Sequence, residues 1–325
     1  MNELNVLIDP FWQFDINIPG VRITRWDLTG EAPHQADIVV TGHWSPKNAV
    51  AQAAAAGAKL LQISSIGFDA LHPDVPSGLQ VANAATVHET ATSEAVLTAL
   101  LAVIRDIPQL VRDMDSRKWN NFYSTGLADK KILLIGVGGV GQAVRRRLEP
   151  FEVELTFAAS RERDEEYGHV YALDQVDQFL SEQDAVIVVI PANEQTNNFI
   201  DADFLSKMKD GAVLLNAGRG SLADMDALTA AGKRLKIVLD VANPEPLPAA
   251  HPIWEVAALI TAHNGGNTAA MHPRMKALLE RQINHALSGK HLKILCLEID
   301  FPHRSFNGWF LVLPAGIRFS YWNKI

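Results

Sequence analysis

Residues 131–141 read KILLIGVGGVG, and this stretch decides the fold. The apolar segment Lys131–Ile135 predicts a buried strand, a glycine-rich turn follows it directly, and Gln142–Leu148 has the pattern of a helix. In such a unit the first glycine permits a tight turn, the second lets the backbone approach a pyrophosphate, and the third lets helix and strand pack closely. A glycine string alone is only a turn, so its placement is what predicts a dinucleotide-binding unit.

Short apolar strands alternate with helical segments along most of the chain. Ahead of the glycine turn we expect strands at Leu4–Ile8, Ile38–Thr41 and Lys59–Ile63, and helices at Pro46–Ala58 and Thr92–Met114, the second interrupted by Pro108. After Lys131–Ile135 we expect strands at Glu154–Ala158, Ala185–Ile190, Ala212–Asn216, Ile237–Val241 and Ala258–Thr261, and a helix at Ala269–Leu287. The alternation predicts an α/β fold with parallel, doubly wound sheets.

The two series of strands predict two Rossmann-like domains, one inserted in the other. The inserted domain, residues 92–267, contains the glycine turn and is the expected NAD(P)-binding domain. Residues 1–91 and 268–290 form a smaller, flavodoxin-like domain, because the helix after Asn267 adds no strand to the inserted sheet. Residues 291–325 are rich in aromatics without clean periodicity, and the alternatives for this tail are a packed extension, an oligomer contact and a reading-frame artefact.

The composition excludes several classes of protein. The 325 residues are 48% hydrophobic and 20% charged, as in a globular protein, and the net charge of -8 offers no broad positive surface, so we expect no nucleic-acid partner. The single cysteine, Cys296, allows no intramolecular disulfide. Met1–Gln13 lacks a basic leader, and no apolar run approaches the roughly 20 residues that span a bilayer. We expect a cytoplasmic protein without a membrane partner.

The strand after the glycine turn ends without the acid of an NAD site. In NAD sites an Asp or Glu about 20 residues beyond the turn accepts hydrogen bonds from the ribose 2′-hydroxyl. Here the strand ends FAASR, up to Arg161. Ser160 and Arg161 can donate to a 2′-phosphate, with Arg163 as reinforcement, which predicts NADP with NAD as the weaker alternative. The competing interpretation is a solvated Arg161 beside Glu162 and Asp164, with NAD tolerated.

Three later strands end in polar residues, at the edge where open α/β sheets bind ligands. The first runs into Asn216-Ala217-Gly218-Arg219-Gly220, the second into Asp240 and then Glu245, and the third into His263-Asn264-Gly265. Taken singly, Arg219 could cap a carbonyl, Glu245 could be loop surface, and His263 could be structural. In series after a glycine turn they predict a catalytic constellation.

With these motifs the chain resembles the D-isomer-specific 2-hydroxyacid dehydrogenase family, of the glyoxylate/hydroxypyruvate reductase kind, from about Ala82 to Gly289. The resemblance implies that Arg219 binds the substrate carboxylate and carbonyl, that Glu245 partners the histidine, and that His263 donates and accepts the proton. It assigns no metal. The chain departs from the family where Ala262 replaces the usual proline before the histidine, but no departure removes a catalytic group.

The same resemblance implies further contacts and an assembly. The residues it assigns to the cofactor, besides those at the end of the second strand, are Thr92, Gly136, Gly138, Gly139, Val140, Gly141, Ile190, Pro191, Thr196, Ala217, Gly218, Asp240 and Gly265. Ser65, Ile66 and Gly67 match a loop whose backbone amides hold the substrate carboxylate, which makes the smaller domain the substrate domain. A homodimer is also implied, and the aromatic residues of Trp119–Leu127 are surplus to one core.

The chemistry of a 2-keto acid requires these residue types. Hydride transfer leaves negative charge on the carbonyl oxygen, and histidine can protonate it near neutral pH. A carboxylate beside the histidine raises its pKa, while arginine can clamp the substrate carboxylate at two points. We therefore expect an NADP-preferring oxidoreductase for a small D-2-hydroxy acid or its 2-keto partner. The alternative is a nucleotide-sensing scaffold without activity, against which the intact Arg219, Glu245 and His263 argue.

Overall fold

The computed structural model describes residues 3–44, 46–68 and 75–289, and the backbone of three strands beyond them. The chain divides into two compact units. The first combines Met1–His88 with Ala269–Ile325, and the second is Glu89–Thr268. The chain therefore leaves the first unit at Glu89 and returns to it at Ala269.

Among its described residues, the first unit has five parallel strands in the order β2-β1-β3-β4-β5. They are β1 (Leu4–Ile8), β2 (Val21–Arg25), β3 (Ile38–Val40), β4 (Leu60–Gln62) and β5 (Gln80–Ala82). This is the flavodoxin-like order, so the fold class predicted for the smaller domain is confirmed. The sequence pattern missed β2, which mixes apolar and basic residues at the sheet edge, and β5, whose three residues, QVA, include only one large apolar side chain.

Helices cover both faces of this sheet. On one face the helix α1 (Ala49–Ala55), shorter than predicted, packs its alanines with Leu61 and Val81. On the other face the helix α8 (Met271–Leu287) packs Met275 and Leu279 on the strands. Buried apolar side chains on both faces explain why the central strands are almost continuously apolar in sequence.

Three strands that the sequence did not predict extend this sheet beyond β5. They are β14 (Leu295–Ile299), β15 (Leu311–Val312) and β16 (Ile317–Phe319), in the antiparallel order β5-β14-β16-β15. The rest of residues 291–325 lies outside the described residues. The three alternatives for this tail, a packed extension, an oligomer contact and a reading-frame artefact, therefore stay predictions.

The second unit has the strand order of a doubly wound dinucleotide-binding sheet. Its strands are β6 (Lys131–Ile135), β7 (Glu154–Ala159), β8 (Arg163–Glu165), β9 (Gly168–Ala172), β10 (Ala185–Val188), β11 (Val213–Asn216), β12 (Lys236–Leu239) and β13 (Leu259–Ile260). The described order, β8-β9-β7-β6-β10-β11-β12-β13, contains the 3-2-1-4-5-6 arrangement, with only β8 antiparallel to its neighbour. The six predicted strands are present, and the hairpin of β8 and β9 was missed because β8 is short and charged.

Helices also cover both faces of the second sheet. They are α2 (Glu89–Ile104), α3 (Ile107–Asp115), α4 (Gly139–Leu148), α5 (Ala202–Lys207), α6 (Met225–Ala231) and α7 (Ile253–Val256). The segment predicted from Thr92 to Met114 is broken as expected, but two residues ahead of Pro108, because Asp106 adopts a left-handed backbone, φ 52°, between α2 and α3. Pro108 lies in the first turn of α3, where the missing N–H removes no helical hydrogen bond.

The part of the chain that the structure describes contains neither a membrane-spanning helix nor a cluster of metal-binding side chains. No helix there has both the length and the apolar character needed to cross a bilayer. No three His, Cys, Asp or Glu side chains are grouped there as a metal site would require. In open α/β sheets such as that of the second unit, ligands bind at the carboxyl ends of the strands.

Candidate active site

The glycine turn after β6 is built on two positions that exclude any side chain. Gly136 has φ +107°, and a Cβ there would lie 2.9 Å from the carbonyl oxygen of Val189. A Cβ on Gly141 would lie 1.9 Å from the carbonyl oxygen of Gly136. The first contact fixes the turn and the second shows how closely α4 packs against it, which are the roles predicted for the first and third glycines.

The middle of the turn is open. A Cβ on Gly138 would meet no atom within 4 Å, and Gly138 is the N-cap of the ten-residue helix α4. The first N–H groups of a helix have no partner within it, and together with the helix dipole they favour an anion. The open space at Gly138 therefore fits the pyrophosphate of a dinucleotide, which a side chain at position 138 would obstruct. At Gly139 the space is narrower, since a Cβ there would lie 2.9 Å from Oε1 of Glu89.

The turn after β7 carries no acid at the strand end itself. Ser160 and Arg161 follow the strand and are exposed. Arg163 begins β8, and its Nε donates to Oε1 of Glu165 at 2.6 Å. An ion pair already engages Arg163, so the predicted contact to a 2′-phosphate depends mainly on Ser160 and Arg161.

The loop after β10 is closed by its own side chains. Thr196 is 4% exposed, and its hydroxyl donates to the carbonyl oxygen of Pro191 at 2.9 Å and accepts from the backbone N–H of Asn193 at 2.9 Å. The Asn193 side chain accepts from the N–H of Thr196 at 3.1 Å. Thr196 therefore shapes the loop of Ile190 and Pro191, and its contact to the cofactor stays a prediction.

A buried asparagine that the sequence did not assign positions the arginine. Asn216, the last residue of β11, is 1% exposed. Its Oδ1 accepts from the N–H of Gly218 at 3.1 Å, and its Nδ2 donates to the carbonyl oxygen of Arg219 at 2.9 Å. The guanidinium of Arg219 in turn donates to the carbonyl oxygen of Gly218 at 2.8 Å. Asn216 thus fixes the whole turn from Ala217 to Arg219, and its place at the strand end was the available signal.

The carboxylate of Asp240 orders the loop that carries the histidine. It accepts from the hydroxyl of Thr261 at 2.6 Å and from the N–H groups of Asn264 and Gly265 at 3.0 and 3.2 Å. Ala262 and His263 both have left-handed backbones, with φ 50° and 56°. Proline cannot adopt that value at position 262, which matches its replacement here. Asp240 therefore holds this loop, a role beyond the cofactor contact that the resemblance implied.

The histidine and the glutamate are joined directly. Nδ1 of His263 lies 2.8 Å from Oε2 of Glu245, and Oε1 of Glu245 accepts from the N–H of Ala242 at 2.9 Å. Both side chains are about one-third exposed, at 34% and 39%. Because Glu245 engages Nδ1, Nε2 is the ring atom that can exchange a proton with a substrate.

Each member of the pair favours the charged form of the other, so the pKa of His263 is raised and that of Glu245 is lowered. The hydrogen bond from Glu245 raises the pKa of His263 above its ordinary value, although burial opposes the shift. Burial alone would raise the pKa of Glu245, but the bonds from His263 and the Ala242 N–H outweigh it and lower that pKa. The charge of Arg219 lowers both pKa values as a smaller effect.

A narrow cleft lies beside this loop, between α2 and the ends of the central strands. Thr92, Ala217, Asp240 and small or apolar neighbours line it. A Cβ on Gly265 would lie 2.6 Å from Oδ2 of Asp240 and 3.5 Å from Cγ2 of Thr92. The structure thus brings together four predicted cofactor residues from distant parts of the sequence.

The predicted substrate loop follows β4 in the first unit. The hydroxyl of Ser65 donates to the carbonyl oxygen of Gly67 at 2.6 Å, and Nδ2 of Asn83 donates to the carbonyl oxygen of Ile66 at 2.9 Å. The N–H of Ala84 donates to the carbonyl oxygen of Ser65 at 2.9 Å. The carbonyl oxygens of this loop thus accept hydrogen bonds from groups of the first unit. The binding of a substrate carboxylate by the loop amides stays a prediction.

A histidine held by a carboxylate, at the carboxyl edge of a sheet with a glycine turn at a helix N-terminus, is the arrangement expected of an NAD(P)-dependent oxidoreductase. Residues 97–265 match the family model described as D-isomer specific 2-hydroxyacid dehydrogenase, NAD binding domain. The match spans more than half of the chain, and the chain belongs to this family. The resemblance seen in the sequence is therefore confirmed.

Individual relatives agree with this assignment. The chain is 29% identical to the glyoxylate reductase/hydroxypyruvate reductase of Homo sapiens over 292 residues, 86% of this chain and 88% of the relative. It is 30% identical to the glyoxylate reductase of Thermofilum pendens over 253 residues, 73% and 74% of the two chains. A probable 2-hydroxyacid dehydrogenase from Rhizobium etli, solved with NADP, HEPES and L(+)-tartaric acid, has the same fold at 18% identity, with a TM-score of 0.75 over 91% of this chain and 98% of that one.

Proposed function

We propose that the chain reduces a small 2-keto acid of the glyoxylate or hydroxypyruvate type to the D-2-hydroxy acid, with NADPH as the preferred reductant. The observation that carries this proposal is the direct contact of His263 with Glu245 at 2.8 Å, on a loop that packs closely against the turn of Arg219 at Gly220 and Ala242. The names of the human and Thermofilum relatives support the substrate class.

Each residue of the constellation has one task in this reaction. Arg219 clamps the substrate carboxylate and orients C2. The nicotinamide, when bound, supplies the hydride. His263 donates its Nε2 proton to the carbonyl oxygen as negative charge develops there, and Glu245 holds the imidazolium in orientation.

The proposed preference for NADPH depends on the turn after β7. Arg161 and Ser160 offer donors to a 2′-phosphate, while the strand end offers no acceptor for a 2′-hydroxyl. The Rhizobium neighbour, which was solved with NADP, is consistent with such a site in this fold. The single cysteine fits the reducing cytoplasm as the proposed location.

We also propose a homodimer formed through the second unit. The helix α3 leaves Val111 and Met114 exposed, at 46% and 68%. Trp119 is 99% exposed and Tyr123 is fully exposed in the segment that follows. Large apolar side chains clustered in this way mark a protein contact, and a second copy of the chain covers them in the proposal.

A turnover screen of NADPH and NADH against a panel of 2-keto acids tests the proposed activity. We expect NADPH oxidation with glyoxylate or hydroxypyruvate at a kcat/KM well above that with NADH. The scaffold alternative predicts a different result, in which nucleotide binds with a measurable Kd and no 2-keto acid is reduced. That outcome would contradict the proposed function.

A further inference from the structure

The hairpin of β8 and β9 holds two acids, Glu162 and Asp164, that follow Arg161 in the sequence. His169 of β9 lies opposite Asp164 of β8 in the strand register, and its Nδ1 lies 2.7 Å from Oδ1 of Asp164. Its Nε2 lies 3.1 Å from Oε1 of Glu162. The other oxygen of Glu162 accepts from Nε2 of Gln175 at 2.9 Å. Both carboxylate oxygens of Glu162 are thus engaged away from the turn.

The position of Glu162 makes this arrangement relevant to cofactor choice. Glu162 follows Arg161 directly in the turn after β7, the region where an acid accepts the ribose 2′-hydroxyls of NAD. A carboxylate released at this turn would repel a 2′-phosphate and could accept from a 2′-hydroxyl instead. The chain therefore does contain an acid for an NAD site, but the hairpin holds it.

We propose that His169 is a positioning residue for cofactor choice, which keeps Glu162 on the hairpin so that Ser160 and Arg161 meet the 2′-phosphate. The inference rests on the proposed NADPH preference. Loss of His169 leaves Glu162 held by Gln175 alone, so its carboxylate reaches the ribose position and NADH gains on NADPH.

The electrostatics of the hairpin support this role. Among the described residues, the groups that face His169 are Asp164 of β8, Glu162 of the turn, Gln175 after β9, and Tyr171 on its own strand, whose ring centroid is 4.5 Å away. The hydrogen bond from Asp164 raises the pKa of His169, burial opposes this, and Glu162 adds to it. The protonated ring offsets part of the negative charge of the two acids, and this effect is lost as the pH rises through the raised pKa.

The effect belongs to binding and not to folding. The His169 ring, Glu162 and Asp164 are 36%, 50% and 89% exposed, and exposed ion pairs contribute little to stability. Replacing His169 should therefore leave the Tm unchanged while it changes the ratio of the two cofactor affinities. A merely structural histidine would change the Tm and leave the ratio as it was.

Fluorescence titration gives the Kd of NADPH and of NADH for wild type, His169→Gln, Glu162→Gln and the double variant. The control is His34→Gln, which replaces a half-buried, hydrogen-bonded histidine of the first unit. At pH 7 we expect His169→Gln to lower the ratio of Kd(NADH) to Kd(NADPH) about fivefold, the size of one charge contact in water. Glu162→Gln should raise the ratio, and the double variant should match Glu162→Gln. His34→Gln should match wild type.

The pH dependence gives a second readout. The ratio of Kd(NADH) to Kd(NADPH) is measured for wild type and for His169→Gln, and the wild-type value is divided by that of the variant. From about pH 6 to pH 8.5 this quotient should fall toward one. The ionisation of the 2′-phosphate affects both proteins equally and cancels in the quotient. The inference would be overturned if His169→Gln had a ratio of Kd(NADH) to Kd(NADPH) within about twofold of wild type. It would also be overturned if the double variant lowered this ratio as much as His169→Gln alone. A wild-type ratio at or below one would instead overturn the NADPH preference, while the change caused by His169→Gln still decides the role of His169.

Discussion

At the scale of single residues, the chemistry depends on how Glu245 changes His263. The imidazole must carry a proton to reduce a 2-keto acid, and the hydrogen bond from Glu245 raises its pKa above the ordinary 6.5. A raised pKa keeps the charged form present to higher pH, so the rate of reduction falls only as the pH rises through that raised value. One carboxylate oxygen of Glu245 contacts Nδ1 of His263 and the other accepts from the N–H of Ala242, and together these bonds fix the ring in one orientation.

Glu245→Gln should move the pH profile without abolishing activity. The substitution removes the largest cause of the raised pKa and leaves the opposing effect of burial, so the falling limb of kcat for reduction moves to lower pH. Activity near neutrality should fall and recover in part in acid. The check is a kcat profile from about pH 5 to pH 9, and an unchanged limb would show that Glu245 does not set the pKa of His263.

Arg161→Asp should reverse the cofactor preference. The new acid repels a 2′-phosphate and accepts from a 2′-hydroxyl, and a change of about 2 kcal/mol for a charge-assisted contact corresponds to roughly 30-fold in the ratio of kcat/KM for NADPH and NADH. Arg146→Asp, on the preceding helix, serves as a control for the general loss of positive charge. A ratio equal to the parent's would contradict the assignment of Arg161 to the 2′-phosphate.

At the scale of elements, the strand ends do the positioning. Asn216 ends β11 and ties down Gly218 and Arg219, while Asp240 follows β12 and ties down Asn264 and Gly265. The two loops also touch, since a Cβ on Gly220 would lie 1.8 Å from the carbonyl oxygen of Ala242. Buried polar side chains at strand ends thus convert a regular sheet into a defined arrangement of Arg219, Glu245 and His263.

Two glycine substitutions in one turn should separate binding from folding. Gly138→Ala adds a methyl group to open space, so the Tm should hold while the Kd of NADPH rises on the order of tenfold. Gly141→Ala places a methyl group 1.9 Å from the carbonyl oxygen of Gly136, so the free energy of unfolding should fall by about 1–3 kcal/mol. Denaturant unfolding and fluorescence titration measure the two effects, and equal effects of both substitutions would contradict the cradle at Gly138.

The elements that the sequence predicted are those with a strong local pattern. Apolar strands such as Lys131–Ile135 are buried on both faces, and the glycine turn has steric requirements that only one residue type meets. The hairpin of β8 and β9 escaped prediction because β8 is short and charged and both strands are half-exposed. Pro108 predicted a break in the long helix, but its exact place at Asp106 was missed because a left-handed residue at a helix end leaves no periodic signal.

At the scale of the whole molecule, the sequence predicted both sheet architectures and the family, but the side-chain partners needed coordinates. The polar bonds of Asn216, Asp240 and His169 join residues that are distant or unremarkable in sequence. Their roles follow only once strand order places them at one edge. The assembly depends instead on what the second unit leaves exposed.

Light scattering at micromolar concentration should give the mass of a dimer. Burial of Trp119 and Tyr123 in an interface removes large aromatic surfaces from water, so Trp119→Lys with Tyr123→Lys should shift the mass toward one chain. Trp44→Lys, at a position 65% exposed in the first unit, is the matched control and should leave the mass unchanged. A wild-type mass of one chain would count against the dimer.

The most direct test of the account is the kcat of His263→Gln with saturating NADPH and a 2-keto acid that the wild type reduces, measured beside its Kd for NADPH. The substitution removes the proton donor and leaves the glycine turn and Arg161 in place. General acid–base groups contribute about 10²- to 10⁴-fold, so the account predicts a fall of that size in kcat with a Kd within about twofold of wild type. A variant that keeps more than about a tenth of the parental kcat would contradict the assignment of His263 as the proton donor.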